Sequence, residues 1–161
     1  MKHLSIRLLG AACAAASLGA CTTGPQATAT APLKAATPAR LAQCEALATA
    51  FRHDNTTVES AASVAAGTLK LAGQDVAAHC LVKGAMHKRK GSDGRDYAIG
   101  FEMRLPQNWN GRFYYQGNGG LDGAVRPAEG ALGGGPLTGA LMQGFAVISS
   151  DAGHTGAQTP Y

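Results

Sequence analysis

The 161-residue chain is 45% hydrophobic and 15% charged, a balance that excludes a disordered acidic or basic tail. Its formal charge of +4 falls to +2, or 12 Lys and Arg against 10 Asp and Glu, once Lys2 and Arg7 of the expected export signal are left out. So small and scattered a charge gives no support for a nucleic-acid partner. The 22 glycines lack a Gly-X-Y period, which excludes collagen, and the length allows one globular domain.

Residues 1–20 have the composition of a secretory signal peptide. A basic start precedes an apolar stretch over 8–18, which is too short to span a membrane. The Leu18-Gly19-Ala20 sequence before Cys21 resembles a bacterial lipoprotein box. That resemblance implies an acylated Cys21 and an exported, lipid-anchored protein of the bacterial periplasm or outer membrane. The alternative is an ordinary signal cut near Ala20, with Cys21 left as a free thiol.

A stretch rich in Thr, Ala and Pro follows Cys21 over residues 22–38 and has no apolar period. This composition predicts a solvated linker that holds a folded domain, residues 39–161, away from a lipid surface.

Two cysteines remain in the predicted domain, Cys44 and Cys80. An even pair in a chain bound for an oxidising compartment predicts a disulfide between them. The alternative is two separate buried thiols. The sequence contains no CxxC motif and no His-x-x-x-His pair, so it predicts no metal site.

The first half of the domain is predicted to hold one helix and three strands. The helix begins at Thr37-Pro38, a cap followed by proline in the first turn, and runs to about Phe51. Strands are predicted over 58–64 and 76–82. Between the strand over 76–82 and the third strand, over 97–105, Lys88-Arg89-Lys90 and the glycine-rich residues 91–94 are predicted to form a solvated hairpin loop.

Residues 97–105 have a large apolar side chain at every second position, whereas Glu102 and Arg104 point the other way. This pattern predicts a half-buried antiparallel strand.

The second half of the domain changes character. An Asn110-Gly111 turn leads into a strand over 112–116 and a glycine-rich loop over 117–123. A short helix is then predicted, with Pro136 in its first turn and Gly144 just past its end. The apolar run 145–149 is typical of a parallel strand covered on both faces. Antiparallel strands leading into a strand–loop–helix–strand unit predict the front part of an α/β sheet.

The glycine-rich loop, residues 117–123, allows backbone N–H groups to approach a ligand closely. A dinucleotide fingerprint is excluded because Asp122 stands where Gly117-x-Gly119 would require glycine. A P-loop is excluded because the loop does not end in Gly-Lys-Ser/Thr. Two interpretations remain open: an N–H donor of an α/β-hydrolase oxyanion hole, and a purely structural glycine turn.

Four sequence blocks resemble, in order, the tannase/feruloyl esterase family. They are YAIGFEMRLP over 97–106, NWNGRF over 108–113, QGNGGLDG over 116–123, and GFAV with SDAGH over 144–154. The resemblance extends from Cys44 to the last residue. It implies a secreted or periplasmic serine esterase, with an α/β-hydrolase core and a large lid domain, that cleaves esters of aromatic acids such as galloyl and feruloyl esters.

The resemblance also assigns residues within this chain. Oxyanion-hole candidates are Gly117, Asn118, Gly119 and Gly120, with Gly119 favoured. Asn118 stands where many members have another glycine. The Cys44–Cys80 pair corresponds to an amino-terminal disulfide of the family.

No Gly-x-Ser-x-Gly motif occurs in the chain. The resemblance therefore implies that the nucleophile, acid, histidine and calcium-binding lid follow residue 161, and that this segment needs no cofactor. Asp151 and His154 precede the nucleophile in the family motif, so both are interpreted as structural loop residues. His53, His79 and His87 are interpreted as surface or packing residues.

We therefore expect the front portion of an α/β-hydrolase, incomplete at its C-terminus and inactive alone. We also expect poor solubility, because the strand 145–149 would lack a partner strand. The alternative function is a small lipid-anchored binding or spacer lipoprotein, without catalysis, in which the glycine-rich loop is only a turn.

Overall fold

The computed structural model describes residues 36–118, 123–131 and 139–156. The predicted signal, Cys21 and most of the predicted linker lie outside the described residues. Within the described ranges, no helix is both long and apolar enough to cross a membrane.

The described residues are mostly β-sheet with one short helix. The elements in chain order are β1 (Ala39–Arg40), α1 (Leu47–Ala50), β2 (Thr56–Val64), β3 (Lys70–Leu71), β4 (Gln74–Asp75), β5 (His79–Lys90), β6 (Asp96–Pro106), β7 (Asn108–Trp109), β8 (Phe113–Gln116) and β9 (Ala146–Ser150). Five strands form a sheet in the order β2-β5-β6-β9-β8, and β1-β7 and β3-β4 form two small sheets. Neighbours in the large sheet are antiparallel except β8 and β9, which are parallel. This mixed sheet is compatible with part of an α/β fold.

The long hairpin of β5 and β6 forms the middle of the large sheet. The predicted antiparallel strand over 97–105 is confirmed within β6, and the predicted strand over 58–64 is confirmed within β2. The strand predicted over 76–82 instead begins at His79 and continues to Lys90, so Lys88-Arg89-Lys90 belong to β5 rather than to a loop. The hairpin turn is shorter than predicted and closes where Gly91 N donates to Arg95 O at 2.8 Å.

The helix predicted from Thr37-Pro38 to Phe51 is wrong over most of its length. Ala39–Arg40 is a strand that pairs with Asn108–Trp109, and Leu41 N donates to Gln107 O at 3.0 Å. These long-range bonds satisfy backbone groups that a helix would have paired locally. Helix remains only over Leu47–Ala50.

The predicted disulfide joins Cys44 to Cys80, with their Cα atoms 5.4 Å apart. It links the segment before α1 to the start of β5, so it holds that segment against the sheet. Both cysteines are buried.

The Asn110-Gly111 turn is present, and Gly111 adopts a φ of +83°. The side chain closes the turn, because Asn110 Oδ1 accepts a hydrogen bond from Arg112 N at 2.9 Å. A residue with a Cβ would be strained at that φ, which explains the glycine.

The helix predicted before the last strand is not regular within the described residues. Pro136 lies outside them, and Ala140–Gly144 forms turns, with Gly144 N donating to Leu141 O at 3.0 Å. Gly144 has a φ of +81° and ends this segment at the predicted place.

The apolar strand predicted over 145–149 is β9, and it pairs in parallel with β8 as expected. The expectation that this strand would lack a partner is wrong, because β9 lies between β6 and β8. Among the described residues the outer strand on that side is β8, and its Phe113 and Tyr115 are each 57% exposed. The large apolar side chains exposed on this side of the sheet therefore belong to β8, whereas β9 is mostly buried.

One face of the large sheet packs against α1 and the disulfide. Cross-strand pairing aligns Val82 with Met103 and Met103 with Ile148, so these side chains share this face. A largely apolar groove of about 440 Å³ remains open beside them. The buried residues of this core are Cys44, Cys80, Val82 and Phe101.

The opposite face is also covered, by the segment between β2 and β5 and by segments after β8. Its core contains Val76, Ala128, Ala140, Leu141 and Val147. Glu102, which the alternating pattern points away from the apolar core, is consequently only 7% exposed. Its carboxylate accepts hydrogen bonds from Ala128 N at 3.0 Å and from Arg104 Nε at 3.1 Å. The prediction that β6 is buried on one face only is therefore corrected.

Candidate active site

The carboxyl ends of β8 and β9 meet at one edge of the sheet. Gln116, the last residue of β8, pairs with Ser149 near the end of β9. Ligands of α/β sheets bind at the carboxyl ends of parallel strands, where the following loops diverge. The two sequence-predicted residues that the structure describes here, Gly117 and Asn118, begin the loop after β8. Gly119 and Gly120, the other oxyanion candidates, lie outside the described residues.

The side chain of Asn118 connects the loop after β8 to the end of β9. Its Nδ2 donates to Ser150 O at 2.7 Å and to Ser149 Oγ at 3.1 Å. Ser149 is fully buried, with an exposed fraction of 0%. The sequence identified Asn118 as a departure from the family pattern, but it gave no sign of these contacts.

Gln116 connects the same strand end to a second segment, residues 126–131. Its Oε1 accepts a hydrogen bond from Gly130 N at 2.8 Å, and its Nε2 donates to Pro127 O at 3.0 Å. The same Nε2 lies 3.3 Å from Asn118 Oδ1. Sequence reasoning missed this role, although an amide at the end of the aromatic strand Phe113–Gln116 was an available signal.

A cavity of about 270 Å³ lies where these segments meet. Its lining residues are Gln116, Gly117, Asn118, Arg126, Pro127, Glu129 and Ala131. Apart from Gly117 itself and its two chain neighbours, no described residue has an atom within 4 Å of the position that a Cβ would occupy on Gly117. Among the described residues, nothing but its chain neighbours fills the space on the Cβ side of Gly117, and Arg126 and Glu129 add one charge of each sign to the lining.

Asp151 follows β9 and stabilises the turn after it. Its Oδ1 accepts hydrogen bonds from Gly100 N at 3.0 Å and Gly153 N at 2.9 Å, and the residue is buried. His154 lies on the same turn, where its backbone N donates to Asp151 O at 3.3 Å. These contacts give Asp151 a structural function.

The other described histidines lie outside this cavity. His53 and His87 are exposed, whereas His79 is buried. The His79 ring contacts Ala77 O through Nδ1 at 2.8 Å, and its Nε2 lies 2.9 Å from Arg104 Nη1. Since Arg104 only donates, Nε2 accepts and the ring is neutral. Burial lowers the pKa of His79, and the positive charge of Arg104 lowers it further.

No group of three or more His, Cys, Asp or Glu side chains in the described ranges is arranged to hold a metal ion. The described part of the site is a cavity lined by Gly117 and by the charged side chains of Arg126 and Glu129. The amides of Gln116 and Asn118 hold its walls together through their hydrogen bonds.

Comparison with known proteins relates the chain to ester hydrolases. A family model described as "Tannase and feruloyl esterase" matches residues 80–161. The "Mono(2-hydroxyethyl) terephthalate hydrolase" of Piscinibacter sakaiensis is 47% identical over 79 residues, which are 49% of this chain and 13% of that protein. The "Probable feruloyl esterase B-2" of Aspergillus flavus is 44% identical over 55 residues, which are 34% of this chain and 9% of that protein.

The matched part of this chain therefore spans only a small fraction of the length of these relatives. The family match begins at the second residue of β5 and extends through β9, including the cavity at the carboxyl ends of β8 and β9. Because the match extends over half of the sequence, the chain belongs to the tannase and feruloyl esterase family.

Proposed function

We propose that this chain is the amino-terminal portion of a carboxylic-ester hydrolase that acts on esters of aromatic acids. The observation that carries the proposal is the family match, together with two relatives named for hydrolysis of a terephthalate ester and of feruloyl esters. Terephthalate and ferulate are both aromatic carboxylates. The shared substrate class is therefore an ester whose acyl group is an aromatic acid.

The proposed mechanism is serine acyl transfer on an α/β-hydrolase sheet. A serine hydroxyl attacks the ester carbonyl while a histidine takes its proton, and the carbonyl oxygen becomes a tetrahedral oxyanion. The alcohol then leaves, and water hydrolyses the acyl-enzyme. The serine, histidine and acid belong to the polypeptide that follows residue 161. The parallel pair β8–β9, with the glycine-rich loop directly after β8, supports this assignment.

This chain's own contribution is stabilisation of the oxyanion by backbone N–H groups within 117–120. The open space at Gly117 and the adjacent cavity support that function, because a reacting carbonyl needs room beside its donors. One such donor contributes roughly 10²–10³ in kcat. The proposed chemistry requires no cofactor from this segment, and the calcium implied by the family resemblance belongs to the lid.

Residues 1–20 are proposed to direct export, Cys21 to carry the lipid, 22–38 to form the linker, and 39–161 to form the partial catalytic domain. The Cys44–Cys80 disulfide supports an oxidising compartment. The location proposed is therefore the bacterial periplasm or outer membrane, with a lipid anchor as the contact with the membrane.

The anchor is tested by replacing Cys21 with Ser and measuring the membrane-bound fraction and incorporation of labelled palmitate. Cys13→Ser, within the signal, is the matched control and should leave both unchanged. Membrane association of Cys21→Ser equal to that of the wild type would contradict the anchor.

The catalytic proposal is tested with the polypeptide encoded by the whole reading frame. Hydrolysis of methyl ferulate, methyl gallate and mono(2-hydroxyethyl) terephthalate is measured, with the 161-residue chain alone as the control. The longer polypeptide should hydrolyse at least one ester, and a fluorophosphonate should label one serine and stop the reaction. Activity of the 161-residue chain alone would refute the proposed position of the nucleophile.

A further inference from the structure

The contacts of Asn118 involve both ends of its side-chain amide. The Nδ2 donor reaches the backbone carbonyl of Ser150 at 2.7 Å and the hydroxyl of Ser149 at 3.1 Å, both on β9. The Oδ1 acceptor lies 3.3 Å from Gln116 Nε2, on β8. One side chain therefore joins the ends of both parallel strands.

The groups that Asn118 contacts are themselves fixed. Ser149 is buried and pairs with Glu102 on one side and Gln116 on the other. Ser150 is buried as well, and its Oγ lies 3.0 Å from the hydroxyl of Tyr115. Because Ser149 and Ser150 lie within the sheet, their hydrogen bonds to Asn118 hold the first residues of the loop in a fixed position relative to β9.

The consequence for the loop follows from its composition. Residues 117–120 are glycines except Asn118, and glycine leaves the backbone free to take many directions. The Asn118 side chain is the anchor that the described structure shows between this loop and β9. Without it, the N–H groups of Gly117 and Asn118 would lose their fixed direction relative to β9.

We propose that Asn118 is a positioning residue that holds the backbone N–H groups at the start of the loop in the direction needed to bind the oxyanion. This inference rests on the proposed esterase function. It does not require Asn118 to touch the substrate through its side chain. A small displacement of groups aimed at reacting atoms can cost about 10²-fold in rate, so the loss of this anchor should reduce kcat.

Two variants of the catalytically active polypeptide test the proposal, and a third serves as the control. Asn118→Ala removes the anchor and should lower kcat by roughly 10- to 100-fold, with KM changed less than about threefold. Asn118→Asp replaces the donor with a carboxylate, which repels the Ser150 carbonyl, and should be slower still at neutral pH. When the aspartate is protonated it regains a donor. The ratio of Asp-variant to Ala-variant activity should therefore rise as the pH falls.

The matched control is Asn110→Ala, at the opposite end of β8. The Asn110 side chain also makes two hydrogen bonds to the backbone, to Gln143 O at 2.8 Å and from Arg112 N at 2.9 Å. Loss of these bonds should lower thermal stability about as much as Asn118→Ala does, but leave kcat unchanged.

The outcomes separate the two proposals. If the wild type hydrolyses the esters and Asn118→Ala keeps its kcat, or if Asn110→Ala loses kcat equally, Asn118 is not a positioning residue and the proposed function stands. An Asp-to-Ala activity ratio that does not change with pH also overturns the positioning function. If the wild-type polypeptide hydrolyses none of the esters, the proposed function itself fails.

Discussion

Breaking the Cys44–Cys80 disulfide should lower the free energy of unfolding by about 4 kcal/mol. The two cysteines are 36 residues apart. The chain-entropy model for a loop of that length gives about 3.8 kcal/mol at 25 °C, because the crosslink restricts the unfolded chain. Reduction by a thiol keeps both sulfur atoms and therefore isolates this contribution.

Replacing both cysteines with alanine should cost more than reduction does. Cys44 and Cys80 pack in the core with Val82 and Phe101, so removal of the sulfur atoms also removes buried apolar contacts. We expect roughly 1 kcal/mol more per cysteine from the lost packing.

Urea unfolding followed by tryptophan fluorescence measures both effects. Trp109 is the one tryptophan of the chain, and its strand β7 pairs with β1 just before Cys44. With a typical urea dependence of about 1–3 kcal/mol/M, the midpoint should fall by roughly 1–4 M on reduction. Cys21→Ala is the control and should leave the midpoint unchanged. A fall of less than about 0.5 M on reduction would refute the predicted stabilisation.

Two further predictions concern packing and pH. In Gly84→Ala the new Cβ would lie 2.3 Å from Thr57 O, so β2 and β5 must separate, at a cost of roughly 1–3 kcal/mol. In Gly117→Ala the new Cβ meets no described atom beyond the chain neighbours of residue 117, so this variant should change the urea midpoint little. Equal midpoints for the Gly84 and Gly117 variants would contradict this. Because the pKa of His79 is lowered in the folded protein, the neutral His79 ring stabilises the fold fully above about pH 6.5. Below that pH the unfolded state binds the proton more readily than the folded state does, so the free energy of unfolding falls. Between pH 7.5 and pH 5.5, the free energy of unfolding of His79→Gln should therefore fall less than that of the wild type. An equal fall would contradict the conclusion that His79 is neutral in the folded protein.

The strand over 97–105 was predictable because large apolar side chains occupy every second position of these nine residues. The turn at Asn110-Gly111 was predictable because the required positive φ selects glycine. Both features depend on local chemistry that is visible in a short stretch of sequence.

The helix prediction over 37–51 was wrong because strand pairing with a distant segment outweighs the local preference for helix. The proline and cap near residue 37 favour a helix, but Ala39–Arg40 finds its partner at Asn108–Trp109. Lys88 and Lys90 were assigned to a loop by their charge. In β5 both side chains are exposed, and they form ion pairs with Glu59 at 2.8 Å and with Asp96 at 2.9 Å. Charged residues are therefore compatible with the end of a strand at the protein surface.

The candidate site was predictable only in part. The glycines and Asn118 identified the loop after β8, because glycine-rich loops at strand ends are recognisable in sequence. The bonds from Asn118 to Ser149 and Ser150 join residues more than 30 positions apart. The burial of Glu102 likewise depends on Ala128, which comes much later in the chain. No periodicity in the sequence encodes such contacts.

The most direct test is ester hydrolysis by the native protein from its own membrane fraction, with its mass measured in the same preparation. We predict a polypeptide much longer than 161 residues that releases an aromatic acid from methyl ferulate, methyl gallate or mono(2-hydroxyethyl) terephthalate. A serine after residue 161 should carry the fluorophosphonate label. A membrane-bound product of only 161 residues that hydrolyses none of these esters would contradict the esterase function and favour a lipoprotein that binds or spaces without catalysis.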